Sequence, residues 1–203
     1  MKRKLSLLIS IAMVLASACT STPVHYHTLV PIPVNAAVVR PEPLYRVDVA
    51  PVKIPAQVDR LELVVRQKNG EIALLDNELW IAPLSDELRS AMSVEIIRQL
   101  ASADAHDALH HPATISVGVD IERFESAPGD YVLIEAFWRL SVSSAMRRGV
   151  LACRARAFER VPNGYVALVS GDQRAVAMIA DQVATAALRL IAENVAVCPA
   201  TVG

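Results

Sequence analysis

Residues 61–75 read LELVVRQKNGEIALL. Two runs of aliphatic and β-branched residues, 61–67 and 71–75, flank Asn69-Gly70. That dipeptide between two strand-like runs is the strongest short-range hairpin signal, because both residue types tolerate the backbone angles of a tight turn. The period then changes. Leu84, Leu88, Met92, Ile96 and Leu100 recur at four-residue steps, with Ala91 widening the stripe, which predicts an amphipathic helix over 83–102. Pro83 suits its first turn, and Asp86 and Glu87 sit where the helix dipole favours negative charge. A hairpin followed by an amphipathic helix places the chain in the α/β class, with the helix stripe packing on a sheet.

Towards the C-terminus, Ile115, Val117, Val119 and Ile121 alternate with Thr114, Ser116, Asp120 and Glu122, the period-two pattern of a strand with one buried face. Ala127-Pro128-Gly129-Asp130 makes a turn. Residues 131–142 follow as a longer strand with apolar residues on both faces, the pattern of a central strand covered on both sides. Residues 151–161 form the last strand, with Cys153, Ala155 and Ala157 on one side and Arg154 and Arg156 on the other. Ser170-Gly171-Asp172-Gln173 has capping-box spacing and is read as the start of a C-terminal helix, whose stripe is Val176, Ile179, Val183, Leu190 and Ile191. Pro199 ends the fold.

Towards the N-terminus, Val47 and Val49 alternate with polar positions from Tyr45 onward. Pro23, Pro31, Pro33, Pro41 and Pro43 keep 20–43 extended, with a short strand at 26–30. The expectation is a single α/β domain: a mixed, largely antiparallel β-sheet packed by two main amphipathic helices.

The chain opens on Met1-Lys2-Arg3-Lys4, an apolar run over 5–15, and then Ala16-Ser17-Ala18-Cys19. A basic start, a short apolar run and small residues before a cut are the parts of a secretory signal peptide, here residues 1–18. The apolar run is well short of the ~20 residues that span a bilayer. A cysteine directly after the small residues is the atom that a bacterial lipoprotein pathway acylates, which tethers the mature chain to a membrane. The competing reading is an ordinary signal cleaved after Ala18, leaving Cys19 as a free thiol. Thr20 rather than Asp follows the cysteine, which points to the outer membrane of a Gram-negative envelope. Residues 19–25 are then the lipidated N-terminus and a short tether. From Cys19 to Tyr26 the chain reaches at most ~25 Å, so the domain sits close against its membrane.

Of the 203 residues only 4% are aromatic, and the apolar content is mainly aliphatic, as in an α/β core. The formal net charge of −1 becomes three units more negative once Lys2, Arg3 and Lys4 leave with the signal, so electrostatics give no argument for nucleic acid. With Cys19 acylated, Cys153 and Cys198 remain as a pair in an oxidising compartment. They either bridge, closing a loop for which chain-entropy models give about 4 kcal/mol, or stay as two buried thiols.

No nucleophile elbow, zincin motif, glycine-rich phosphate loop or paired-cysteine metal motif is present, and no enzymatic activity or cofactor is expected. His106, His110 and His111 could present imidazoles to one metal. The alternative is a polar loop solvated by Asp104 and Asp107 and closed by Pro112. His25 and His27 share one strand face and carry the same ambiguity, and no metal is expected at either place. Trp80 either staples the helix entry or makes an exposed contact. Arg147 and Arg148 form a basic tip. The loop over 51–60 is the better interface candidate, because its prolines reduce the ordering cost of binding.

Tyr26 and Leu29 form a Tyr-x-x-Leu strand after the cysteine. Pro51 and Pro55 lead to the pair Asp59-Arg60. Asn69-Gly70 follows, and then Trp80 precedes Pro83-Leu84. In this order and spacing the chain resembles the ABC-type transport auxiliary lipoproteins of the PqiC kind, over residues 26–203. The resemblance implies a periplasm-facing, lipid-anchored outer-membrane protein. It would be a non-enzymatic docking subunit working with an MCE-domain protein and an inner-membrane transport component in lipid trafficking and envelope integrity. It also accommodates a homo-oligomer, whose number no sequence feature fixes. Partner contacts are then expected at Pro51, Pro55, Asp59, Arg60 and Trp80. A soluble periplasmic lipid-binding or chaperone-like carrier, with a large apolar cavity, is the alternative, as is a structural envelope lipoprotein without a transporter partner.

Overall fold

In the computed structural model, which describes residues 22–31, 45–103, 113–144 and 148–200, the hairpin forms around Asn69-Gly70. Strands β3 (Glu62–Arg66) and β4 (Ile72–Trp80) are antiparallel. The Gln67 N–H donates to the Glu71 carbonyl at 2.8 Å, and the Gly70 N–H to the Gln67 carbonyl at 2.9 Å. Gly70 takes φ 87°, while Asn69 is not left-handed and accepts the Glu71 N–H at its Oδ1, 3.1 Å away. The turn is therefore a three-residue loop closed by a left-handed glycine, the second commonest way to join two strands.

Strand β1 (His25–His27) pairs in parallel with β4, giving a small sheet in the order β1-β4-β3. The second sheet is larger. It contains β2 (Tyr45–Val49), β5 (Ala113–Ala127), β6 (Tyr131–Ser143) and β7 (Arg148–Arg160), in the order β2-β5-β6-β7. β2 runs parallel to β5, and the other pairs are antiparallel. With helices α1 (Leu84–Ala103) and α2 (Tyr165–Ala192), this is the expected α/β domain with mostly antiparallel strands, its strands divided between two sheets.

The α1 stripe Leu84, Leu88, Ala91, Met92, Ile96 and Leu100 is buried, but it packs largely on α2 and against β2 rather than across a broad sheet face. α2 lies over β5, β6 and β7. It is long and apolar enough to cross a membrane, with mean hydropathy 1.5, yet 56% of that stretch is buried within the fold, as in a core helix. Cys198 Sγ lies 2.04 Å from Cys153 Sγ on β7, which staples the chain after α2 to that strand.

Two expectations are corrected. The C-terminal helix does not start at Ser170. It starts at Tyr165, after Pro162-Asn163, with Gly164 at the N-cap at φ 100° and no side-chain cap. Ser170 is inside the helix, its hydroxyl donating to the Val166 carbonyl at 2.9 Å. The capping-box spacing arises for another reason. A Cβ at position 171 would lie 2.3 Å from Val161 Cγ1 and 3.3 Å from Val132 Cγ2, so Gly171 marks where α2 presses closest on the sheet. Strand β6, for its part, is central in order but covered on one face. Val132, Ile134, Ala136, Trp138, Leu140 and Val142 are buried beneath the helices. On the opposite face only Leu133 is buried, Glu135 and Phe137 are half-buried, and Arg139 and Ser141 are exposed.

The expected signal peptide, Cys19, the histidines at 106, 110 and 111, and Arg147 lie outside the described residues.

Candidate functional site

Because the helices cover one face of the four-stranded sheet, its other face is open, and register decides what that face displays. Asp48 pairs with Ser116, Ser116 with Ser141, and Ser141 with Val150, forming one cross-strand row. In the next row Gly118 pairs with Arg139 and Arg139 with Ala152, while Ala50 follows β2 beside it, its N–H donating to the Val117 carbonyl at 2.9 Å. Most of these side chains are small, so the two rows sink into a shallow open trough of about 460 Å³. Val150 on its wall is 76% exposed.

Beyond the trough the same face carries paired charges. Arg139 Nη2 reaches Asp120 at 3.2 Å, and Arg154 Nη1 reaches Glu122 at 2.6 Å. Glu135 stands between Arg156 at 3.5 Å and Arg123 at 3.9 Å. The guanidiniums of Arg139 and Arg156 sit 5.5 and 5.6 Å from the Phe137 and Phe158 ring centroids. An apolar hollow rimmed by arginine and aromatic side chains has the composition of a protein contact surface.

Glu125 joins this face to the small sheet. Its Oε1 accepts from Arg66 on β3 at 2.8 Å, and its Oε2 from Arg123 at 2.9 Å and the Tyr131 hydroxyl at 2.8 Å. Burial alone would raise its pKa, but these donors hold the carboxyl below its ordinary value.

The loop over 51–60 borders the trough. Its Val52 and Val58 are buried anchors, and Lys53 forms an isolated bridge with Asp120. Pro51 is exposed beside Ala50, and Pro55 is half-buried. Asp59 and Arg60 are exposed at the far end, where the Ser85 hydroxyl donates to Asp59 Oδ1 at 3.0 Å. Trp80 is not part of this surface. It is 3% exposed, in the core between β4 and α1, so its expected partner contact is withdrawn and its role is packing. Arg148 is exposed at the start of β7.

His25 and His27 converge on a carboxylate. Both face Glu78 of the neighbouring strand, with His25 Nδ1 to Oε1 at 2.9 Å and His27 Nε2 to Oε2 at 2.6 Å. Among the described residues no group of three or more His, Cys, Asp or Glu is placed to hold a metal ion. The segment after β1 is pinned as well: the Thr28 hydroxyl and the Leu29 N–H donate to Glu87 on α1 at 2.7 and 2.8 Å, and Gln173 on α2 donates to the Thr28 carbonyl at 2.9 Å. In the Tyr-x-x-Leu pattern Leu29 thus plugs the core at 1% exposure, while Tyr26 stands outward at 65%.

The profile of the ABC-type transport auxiliary lipoprotein component family matches residues 27–184. The chain belongs to that family. Members are auxiliary lipoproteins of ABC-type transport systems, and lipoproteins are membrane-anchored in the cell envelope. No curated protein matches the chain. Among solved structures, an uncharacterized protein superposes with a TM-score of 0.56 at 16% identity, over 81% of this chain and 98% of that one. A Xanthomonas campestris protein of the DUF330 family superposes with a TM-score of 0.50 at 16% identity, over 83% of this chain and 95% of the other. At that identity the likeness is one of fold. An auxiliary component of a transport system needs contact surfaces, and the open sheet face is one such surface. Sequence reading missed the trough because Ser116, Gly118, Ser141 and Ala152 come from three strands. Each is unremarkable alone and meaningful only once the registers align.

Proposed function

We propose that this auxiliary lipoprotein is the docking subunit of an MCE-type intermembrane lipid-transport system. In this reading it is anchored in the outer membrane through acylated Cys19, faces the periplasm, and supports envelope integrity without catalysing a reaction. Its partners are an MCE-domain protein and an inner-membrane transport component. A domain on a tether of at most ~25 Å cannot cross the periplasm, so a long partner must come to it. The observation that carries the reading is the open sheet face: an apolar trough of small side chains, framed by arginine–acid pairs and bordered by the proline-containing loop at Pro51, Pro55, Asp59 and Arg60.

A lipid carrier needs an interior chamber. The void beneath the sheets, between Trp80, Leu84, Phe124 and Asp172, is about 10 Å³, room for no more than a water, whereas the trough is open surface. This favours docking over carrying.

The test is capture of the tagged full-length protein from envelope membranes in mild detergent, with Cys19→Ala as control, followed by mass spectrometry of partners and of the mature N-terminus. Recovery of an MCE-domain protein together with acylated Cys19 is the expected result. An unacylated N-terminus, no protein partner and co-purified lipid would overturn it in favour of the soluble carrier.

A further inference from the structure

Strand β1 carries Tyr26 between His25 and His27. His27 turns inward to Glu78 with its side chain 11% exposed, and His25 reaches the same carboxylate while 55% exposed; Val24 and Tyr26, at alternate positions, are 47% and 65% exposed. On neighbouring β4, Ile72 and Leu74 are 53% and 45% exposed. Val24 and Leu74 share one open hollow with Thr22, Leu75, Asp76 and Asn77. Several large apolar side chains gathered on one small sheet are unusual for a surface with no partner.

We propose that this patch, centred on Val24, Tyr26 and Leu74, rests on the lipid surface in which the chain is anchored. The inference depends on acylation of Cys19, as proposed above. Thr22 is three residues from Cys19, a reach of at most ~10 Å, so the anchored bilayer lies within that distance of the hollow's edge. The patch cannot swing away on a flexible arm, because Glu78, Glu87 and Gln173 fix the backbone on either side of Tyr26 to β4, α1 and α2. A short tether entering a rigid patch makes that side of the domain the one that meets the membrane.

The chemistry fits the same occupant. Tyrosine, with an apolar ring and a polar hydroxyl, is enriched where a bilayer meets water, and the aliphatic neighbours gain by leaving water. Among the described residues lining the hollow Asp76 alone is charged, which suits a zwitterionic surface better than a strongly anionic one.

Trp80 and Trp138 are 3% and 0% exposed, so a tryptophan placed on the surface reports its own surroundings. The experiment uses the full-length mature protein in phosphatidylethanolamine vesicles with brominated acyl chains. It compares Tyr26→Trp, Val150→Trp in the trough of the other sheet, and the parent. The expected result is a blue-shifted emission for Tyr26→Trp, with bromine quenching well beyond that of the parent and of Val150→Trp. Equal quenching of the two variants, or none, overturns the proposal. A blue shift without bromine quenching also overturns it and assigns the face to a second copy of the chain. Mass spectrometry of the same sample separates the two readings: acylated Cys19 without quenching removes this inference alone, whereas unacylated Cys19 removes the anchor and this inference together.

Discussion

Glu78 is 6% exposed and accepts hydrogen bonds from two histidines. Burial pushes its pKa up, but the donors His25 and His27 outweigh burial and hold the carboxyl below its ordinary 4.5. A depressed folded-state value means that the stabilisation is present above the ordinary value and is lost as pH falls through the lowered one. Strand β1 should therefore loosen in acid, below the ordinary 4.5. Glu78→Ala should reproduce that loosening at neutral pH, at a cost of about 1–3 kcal/mol, by removing the acceptor of two part-buried donors. Amide exchange at residues 25–27 checks both, and unchanged protection in Glu78→Ala would show that the strand is held elsewhere. Asp172 has the opposite sign. It is fully buried, with Ser126 Oγ donating to Oδ1 at 2.9 Å and no partner at Oδ2. The void beside it is lined by Val58, Leu63, Val64, Trp80, Leu84 and Phe124, with no counter-charge. Burial raises its pKa from 3.8 to about 8. Its contribution is therefore most favourable below pH 3.8 and is lost as pH rises through about 8. Asp172→Asn should flatten the melting-temperature profile across that interval and raise stability at its alkaline end. A profile identical to the parent's would show that the carboxyl is already solvated.

At the scale of elements, the contact between α2 and the sheet turns on one missing methyl. Glycine inside a helix costs about 1 kcal/mol against alanine, so propensity alone makes Gly171→Ala stabilising. The 2.3 Å approach to Val161 Cγ1 reverses that sign, and a loss of about 1–3 kcal/mol in chemical denaturation is expected. A gain instead would mean that Val161 can turn aside. The same residue shows where sequence reading reaches and where it stops. Leu84, Leu88, Met92, Ile96 and Leu100 announce α1 because a helix repeats within its own sequence, and Ile115, Val117 and Val119 announce β5 for the same reason. Ser170-Gly171-Asp172-Gln173 misleads because its composition answers to Val161, Val132 and Ser126, residues outside the helix. Trp80, four residues before the helix start, could be read as a staple or as a contact, since burial is a property of what packs over a residue. β6 misled likewise: Leu133 and Phe137 among charges look like a second core face until β5 sets Glu125 beside Leu133 and β7 sets Arg154 beside Phe137.

For the whole molecule, the two surfaces proposed here lie on different sheets, so anchoring and docking need not compete. The patch at Val24, Tyr26 and Leu74 belongs to the small sheet, and the trough to the larger one. The trough can be tested without disturbing the core. Gly118 forms part of its floor at a backbone conformation open to any residue, and a Cβ there meets only the Arg139 side chain, at 3.7 Å. Gly118→Phe should fill the hollow, leave the melting temperature within a few degrees of the parent's, and lower capture of the partner at least about tenfold, the effect of about 1.4 kcal/mol. Asp59→Ala with Arg60→Ala alters the far end of the bordering loop, where exposed charges typically contribute less than about 1 kcal/mol each. Comparing the two separates a trough that seats the partner from a loop that does. If Gly118→Phe folds and captures the partner as the parent does while the loop variant does not, the contact surface is the loop over 51–60 and the sheet face is merely solvated. If neither variant changes capture, docking lies outside both surfaces, and the open face has no part in it.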